Sequence, residues 1–420
     1  MQKETFKNGL RVVTKKLANT ESVTVLVLVG AGSRYETKRI NGIAHFLEHM
    51  FFKGAKKYKD AKAVSSAIDG VGGDFNAFTG KEYVGYFVKV AAKNKDTALS
   101  VLSDMLVHSK FDQNEINKER GVIMEEYNMY QDTPMYQVGW DFERLMYGDQ
   151  PMGWDQVGTK ELIQTVTHDD FVNYKKALYT PDNIVISVAG NISHKEVCEK
   201  VKKYFKFENG RKQYMCTALE ENKSKEKVFI HNKKTEQGHV VVGFPAYPEA
   251  HPDHYVEKVL SVILGGNMSS RMFSAVREAK GLAYYIHTTT DDYLDTGIIS
   301  TRAGVDVKRI KLAITAIVEE YKKICGEKVP AAELKKAKEF LKGKFVLRLE
   351  DSEEYAHLLG KYELMHWQMV TPEEILKQVD GVTVADIARV SKDLFRPENL
   401  RLAAIGPYEN KEELLGALSW

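Results

Sequence analysis

Two histidines four residues apart, His45 and His49, stand in the segment His45-Phe46-Leu47-Glu48-His49. On a helix that spacing puts both imidazoles on one face, about one turn apart, where they can grip a single cation. Zinc takes histidine nitrogens at about 2.0–2.1 Å in a tetrahedron, and a hydrolytic site leaves its fourth position to water. Two histidines do not complete such a site, so a third ligand is required. Glu48 projects to the same side and has the chemistry of a general base for that water, the inverse of the H-E-x-x-H arrangement. With 12 histidines and 58 acidic residues in 420, a pentad of this kind arises by chance roughly 0.05 times per chain. The third ligand is sought in Glu119-Arg120-Gly121-Val122-Ile123-Met124-Glu125-Glu126, which offers three carboxylates. Glu119 and Glu126 are two turns apart on one face, placed with Val122 and Ile123 on an inward stripe where a carboxylate is costly unless it binds something. Glu125, rotated by about 100°, faces solvent. Helix phase therefore favours Glu126 as third ligand and Glu119 as an acid that orients the site from behind.

These side chains need a scaffold. Leu10 to Thr14 and Ser22 to Val29 are β-rich, and a polar connection leads to a helix that Asn41 can cap and Gly54 can stop. A second helix fits Asp60 to Val71 and breaks at Gly72-Gly73. A hairpin follows, Phe75 to Thr79 and Tyr83 to Val90, then amphipathic helices at Thr97–His108 and from Glu115 to beyond Tyr130. Between residues 209 and 226 apolar periodicity gives way to Lys and Glu, which marks a linker between an N-terminal domain, 1–208, and a C-terminal domain, 227–420. The order of elements then recurs: strand His239–Phe244, helix Asp253–Leu264, Gly265-Gly266, helix Ser270–Ala279, and strands Leu282–Thr289 and Gly297–Gly304. An offset of about 207 residues relates the two series, as duplicated halves would. The expectation is an α+β chain of two homologous α/β-sandwich domains, each a mixed, mostly antiparallel sheet covered by helices. The second half has His254 but no partner histidine four residues on, so the first half alone can hold zinc.

Composition narrows the function classes. Sixty Lys and Arg against 58 Asp and Glu leave a net charge of +2, which gives no bulk field for nucleic acid or anionic lipid. Three cysteines, Cys198, Cys216 and Cys325, form no C-x-x-C pair, so neither a disulfide framework nor a thiolate zinc knuckle is expected. The residues Met1 to Phe6 lack the layout of a secretory signal or transit peptide, and the longest apolar run, Val23 to Val29, is far short of the roughly 20 residues that cross a bilayer. A cytoplasmic chain with no membrane or nucleic-acid partner is the expectation.

The run H-F-L-E-H-M-F-F-K-G from His45 to Gly54, with E-R-G-V-I-M-E-E downstream, resembles the zinc site of the pitrilysin, insulin-degrading enzyme and mitochondrial processing peptidase family. The likeness extends to Gly73-Asp74-Phe75-Asn76-Ala77-Phe78, to Tyr179-Thr180-Pro181-Asp182-Asn183 and into the C-terminal half. In that family the third ligand falls 77 residues after the second histidine, which here is Glu126. The resemblance implies a zinc endopeptidase with one Zn2+ per chain, held by His45, His49 and Glu126, with Glu48 as base. It implies that Asn76, Ala77 and Phe78 bind an extended peptide as an added strand. It also implies that Arg277 and Tyr284 address the substrate backbone and the oxyanion. Short two-domain members form half-clamshells that pair into a closed chamber. A chain carrying both the zinc triad and the Arg/Tyr pair fits a homodimer with shared active sites. The alternative is a noncatalytic, peptide-holding or scaffold subunit, but such relatives generally have a degraded pentad, and this one is complete.

Overall fold

The computed structural model describes residues 1–222 and 224–420. By contact the chain forms two compact units, each built on one sheet. In the first, strands β1 (Gln2–Thr5), β2 (Arg11–Lys16), β3 (Ser22–Val29), β4 (Asp74–Thr79), β5 (Val84–Ala91) and β6 (Ile184–Gly190) lie in the order β1-β2-β6-β3-β5-β4. Every neighbouring pair is antiparallel except β2 with β6. In the second, β7 (Val228–Asn232), β8 (Gln237–Ala246), β9 (Ala283–Asp292), β10 (Gly297–Asp306) and β11 (Arg401–Gly406) lie in the order β7-β11-β8-β10-β9, with only β7 and β11 parallel. Setting β7 against β2, β11 against β6, β8 against β3, β10 against β5 and β9 against β4 reproduces the order and every strand sense. The two halves therefore share one topology, and the fold is α+β with mixed, mostly antiparallel sheets.

Strand β3 is buried from Val23 to Val29, and β6 along its whole length. Such unbroken apolar runs belong to strands covered on both faces. One cover is unexpected. Helices α1 (Ile43–Phe51), α2 (Ala61–Asp69), α3 (Lys95–His108), α4 (Gln113–Asp132) and α5 (Pro134–Tyr147) follow one another in the first half. Yet α5 packs on the second sheet, where Val138, Phe142 and Tyr147 meet Val241, Ile298, Ala403 and Ile405. In return the helix Ser352–Leu364 covers the first sheet, with Tyr355, Ala356, Leu359 and Leu364 on Val13, Leu26, Leu28, Val185 and Ala189. It sits close: a Cβ on Gly360 would lie 2.7 Å from a Leu28 methyl and 3.0 Å from the Ser187 Cβ, and the Ser187 hydroxyl donates to the Ala356 carbonyl at 2.6 Å.

The expected division into 1–208, a linker and 227–420 follows chain order and misses this exchange. The first unit comprises Met1–Asn128, Trp154–Thr217 and Val346–Met369, and the second Met129–Gly153, Ala218–Phe345 and Val370–Trp420. The helix expected at 270–279 is also altered, since Phe273–Ala279 is wound as a π-helix. Among the described residues no helix is long and apolar enough to cross a membrane.

Candidate metal centre

Helix α1 carries the pentad, and its start is built differently from expectation. Asn41 does not cap it. The cap position is Gly42, at φ 102°, where a Cβ would come within 2.6 Å of the Val157 carbonyl oxygen and the Gly158 Cα. The free N–H groups of the first turn go instead to Glu36, whose carboxylate accepts from the amides of Gly42 at 2.7 Å and Ala44 at 2.9 Å. The Asn41 side chain also donates to Glu36, at 3.1 Å. Burial pushes the Glu36 carboxyl up to about 7, while these donors pull it back. Beyond the cap, Ile43, Ala44, Phe46, Leu47, Met50 and Phe51 are buried, which leaves His45, Glu48 and His49 as one partly exposed stripe.

Helix α4 meets that stripe. The His45 Nε2 lies 3.6 Å from Glu126 Oε1, and the His49 Nε2 lies 3.3 Å from Glu126 Oε2. One donor atom from each of the three residues falls within 4.8 Å of the others. A tetrahedral zinc with bonds of about 2.0–2.1 Å separates its nitrogen and oxygen ligands by about 3.3–3.5 Å. Two imidazoles and one carboxylate gathered this closely form a donor set of the kind that zinc takes. The His49 Nδ1 is 2.9 Å from Glu119 Oε1, a contact that fixes the ring and directs Nε2 towards Glu126. The other Glu119 oxygen accepts from Lys53 at 2.5 Å. The site is organised for positive charge: burial opposes a charge on His49, yet the carboxylates of Glu119 and Glu126 raise it to about 9. The two imidazoles in turn hold Glu126 far below the usual carboxylate range.

Glu125 is exposed, as helix phase requires, but the expected inward stripe is only half present. Ile123 is buried, whereas Val122 is 52% exposed. The carboxylates of Glu119 and Glu126 flank Ile123 alone. Glu48 is raised above the ordinary carboxylate range by burial, and Thr79 opposes this by donating to its Oε2 at 2.5 Å. Thr79 is the last residue of β4, so the base is tied directly to the edge of the sheet. Asn76, Ala77 and Phe78 lie on β4, which has β5 as its one strand neighbour. On that strand the Ala77 amide is held by the Asn76 side-chain carbonyl at 2.9 Å. Arg277 and Tyr284 belong to the second unit, and the metal triad to the first. Arg277 rides on the π-helical stretch with its guanidinium 4.7 Å from the Phe273 ring centre, and Tyr284, on β9, is 60% exposed.

Three residues of this arrangement escape the sequence reading: Glu36, Lys53 and Thr79. Only Lys53 leaves a trace there, since it stands four residues after His49 and so continues the same helical stripe.

The comparisons agree along the chain. A family model described as Insulinase (Peptidase family M16) matches residues 11–153, and one described as Peptidase M16 inactive domain matches residues 165–341. A Bacillus subtilis (strain 168) protein named uncharacterized zinc protease YmxG is 37% identical over 410 residues, covering 98% of this chain and 99% of its own. A Streptomyces coelicolor protein named uncharacterized zinc protease SCO5738 is 33% identical over 420 residues, covering 98% of this chain and 91% of its own. The crystal structure of a protease from Helicobacter pylori matches with a TM-score of 0.91 at 26% identity, covering 97% of this chain and 99% of that one. A Pseudomonas fluorescens structure described as a peptidase M16 inactive domain has the same fold, with a TM-score of 0.90 at 16% identity over 97% of this chain and 98% of that one. With relatives above 30% identity over nearly their full lengths, the chain belongs to the insulinase family, peptidase family M16, in its short two-domain form.

Proposed function

We propose that this chain is a zinc-dependent endopeptidase that hydrolyses extended peptides inside a closed dimeric chamber. The observation that carries the reading is the convergence of His45, His49 and Glu126 within 4.8 Å of one another beside a partly buried carboxylate, Glu48, that is hydrogen-bonded to a sheet edge. His45, His49 and Glu126 would hold one zinc ion per chain, with Glu119 orienting His49. Zinc bound there supplies Lewis acidity, acidifying a water and polarising the scissile carbonyl. Glu48 removes the proton from the attacking water and delivers it to the leaving amine. The peptide lies along β4 as an added strand, so that main-chain hydrogen bonds at Asn76, Ala77 and Phe78 hold it extended. Asn76 must then release the Ala77 amide to the substrate. Tyr284 and Arg277 stabilise the developing oxyanion and seat the backbone, roles that rest on the family resemblance. Three cysteines with no disulfide among them suit a reducing compartment, and the cytoplasm is the setting we assign.

The second reading is a noncatalytic subunit that holds peptides or scaffolds a complex. The description of the family model matching residues 165–341 as an inactive domain favours it for the second half, which has no H-x-x-E-H pentad, but leaves the pentad of the first half unexplained. Zinc content and cleavage of a peptide library, measured together, separate the two. We expect Glu48→Gln to keep zinc and to lose about 10²–10⁴-fold in kcat/KM. Cleavage that survives this substitution, or a chain that takes up no zinc, would favour the noncatalytic subunit.

A further inference from the structure

We propose that Glu4, His194 and Cys198 form a second transition-metal site, structural rather than catalytic, that fastens the N-terminal strand to the first unit. The proposal does not depend on the peptidase reading. His194 begins the helix His194–Tyr204, and Cys198 follows four residues later on the same face. Glu4 comes from β1, where it is turned partly inward between exposed Lys3 and Thr5. One donor atom from each of the three lies within 4.8 Å of the others, the same closeness that His45, His49 and Glu126 reach. The Cys198 Sγ is 3.5 Å from the His194 Nε2. A tetrahedral zinc bonded to sulfur at about 2.3 Å and to nitrogen at about 2.0–2.1 Å needs a separation of about 3.5–3.6 Å.

The imidazole is already oriented as a ligand. Its Nδ1 is 2.8 Å from the Thr14 hydroxyl on β2, which fixes the ring and turns Nε2 towards the thiol. Metal-bound histidines are held in this way through their distal nitrogen. Thiol, imidazole and carboxylate together select zinc over magnesium or calcium, which prefer oxygen alone. Cys198 is buried while Glu4 and His194 are partly open, so the fourth position falls to water. A cation already visits the site: Lys202, one turn beyond Cys198, donates to Glu4 at 2.8 Å with its ammonium 4.7 Å above the Phe6 ring. It is the competitor the metal displaces, and it is exposed enough to swing into solvent. The consequence is local. Strand β1 has β2 as its one strand neighbour, and its side chains are mostly exposed. A metal bond from Glu4 to the helix after β6 would pin that strand across most of the first unit's sequence.

Cobalt substitution of the full chain tests this, because a thiolate-to-cobalt charge-transfer band requires a cysteine ligand and the His45, His49 and Glu126 site contains none. Wild type should bind two cobalt ions per chain and show the band. Glu126→Gln should keep the band, whereas Cys198→Ser should lose it and bind one ion fewer. Lys202→Met should tighten cobalt binding a few-fold, and hydrogen exchange of the β1 amides should slow on metal addition. A wild-type chain that binds cobalt without the band would overturn the proposal. So would a band that persists in Cys198→Ser, or a Lys202→Met chain that binds cobalt no better than wild type.

Discussion

Glu119 divides its carboxylate, giving one oxygen to the His49 Nδ1 and the other to the Lys53 ammonium. Lys53 neutralises part of the charge that would otherwise sit beside Glu126, and the remainder makes His49 a stronger donor. Glu119→Gln keeps the shape of the contact and removes the charge. It should weaken zinc binding about 10–100-fold, with activity recovered at excess zinc and the loss read by chelator competition. An unchanged affinity would reduce Glu119 to a counterion for Lys53. The grouping of these side chains was legible in the sequence because His45, Glu48 and His49 are neighbours on one helical stripe, and Glu126 repeats the phase of Glu119. Glu36 and Thr79 were not. Each acts on α1 from another segment, and periodicity registers only what an element does to itself. Asn41 was chosen as cap on local chemistry, but a buried carboxylate five residues earlier reaches two of the helix's free amides at once.

The helix His254–Gly265 is the counterpart of α1 in the second half, and it reads His254-Tyr255-Val256-Glu257-Lys258 where α1 reads His45-Phe46-Leu47-Glu48-His49. A lysine stands where the second histidine would be, and its ammonium bonds Asp292 and Thr290 on β9. Glu257 remains fully buried, accepting from the Tyr247 amide at 3.2 Å, while its other oxygen has no hydrogen-bond partner among the described residues. Burial, reinforced by Asp292, pushes its carboxyl up to about 8 from an ordinary 4.5. Between those values the folded chain keeps a proton that the unfolded chain has released. The stability from Glu257 is therefore complete below pH 4.5 and lost as pH rises through about 8, with a slope of up to about 1.4 kcal/mol per pH unit. Glu257→Gln cannot titrate, so its stability relative to wild type should improve steadily from mildly acidic to mildly alkaline pH in urea unfolding. A constant difference would remove Glu257 as the titrating group. At this scale the sequence was a good guide to elements and a poor one to their partners. Strand β3 occupies the same bounds, Ser22 to Val29, that its β-rich run predicts. The exchange of α5 and the helix Ser352–Leu364 between sheets was invisible, since an amphipathic face states that a helix needs a cover and not which sheet supplies it. The π-winding around Arg277 was equally hidden, because seven residues are too few to tell a wide turn from an α-helical one.

At the scale of the whole molecule, the proposed zinc triad lies in one half of a duplicated chain and the Arg277 and Tyr284 pair in the other. A homodimer with shared sites would use both halves of both chains, each triad completed by the partner's second half. Subunit mixing distinguishes this from a site closed within one chain. His45→Ala removes a ligand from one subunit, and Arg277→Ala removes the guanidinium from the other. If sites are shared, a mixed dimer contains one site lacking both groups and one site intact. Random exchange makes half of the dimers mixed, so activity should return to about a quarter of wild type, although each variant alone is inactive. If each chain closes its own site, every site in the mixed dimer still lacks one group and nothing is recovered. Exchange must be demonstrated independently, by co-purification of differently tagged subunits. Absence of recovery once exchange is demonstrated would overturn the shared-site homodimer while leaving the metal centre of the first half untouched.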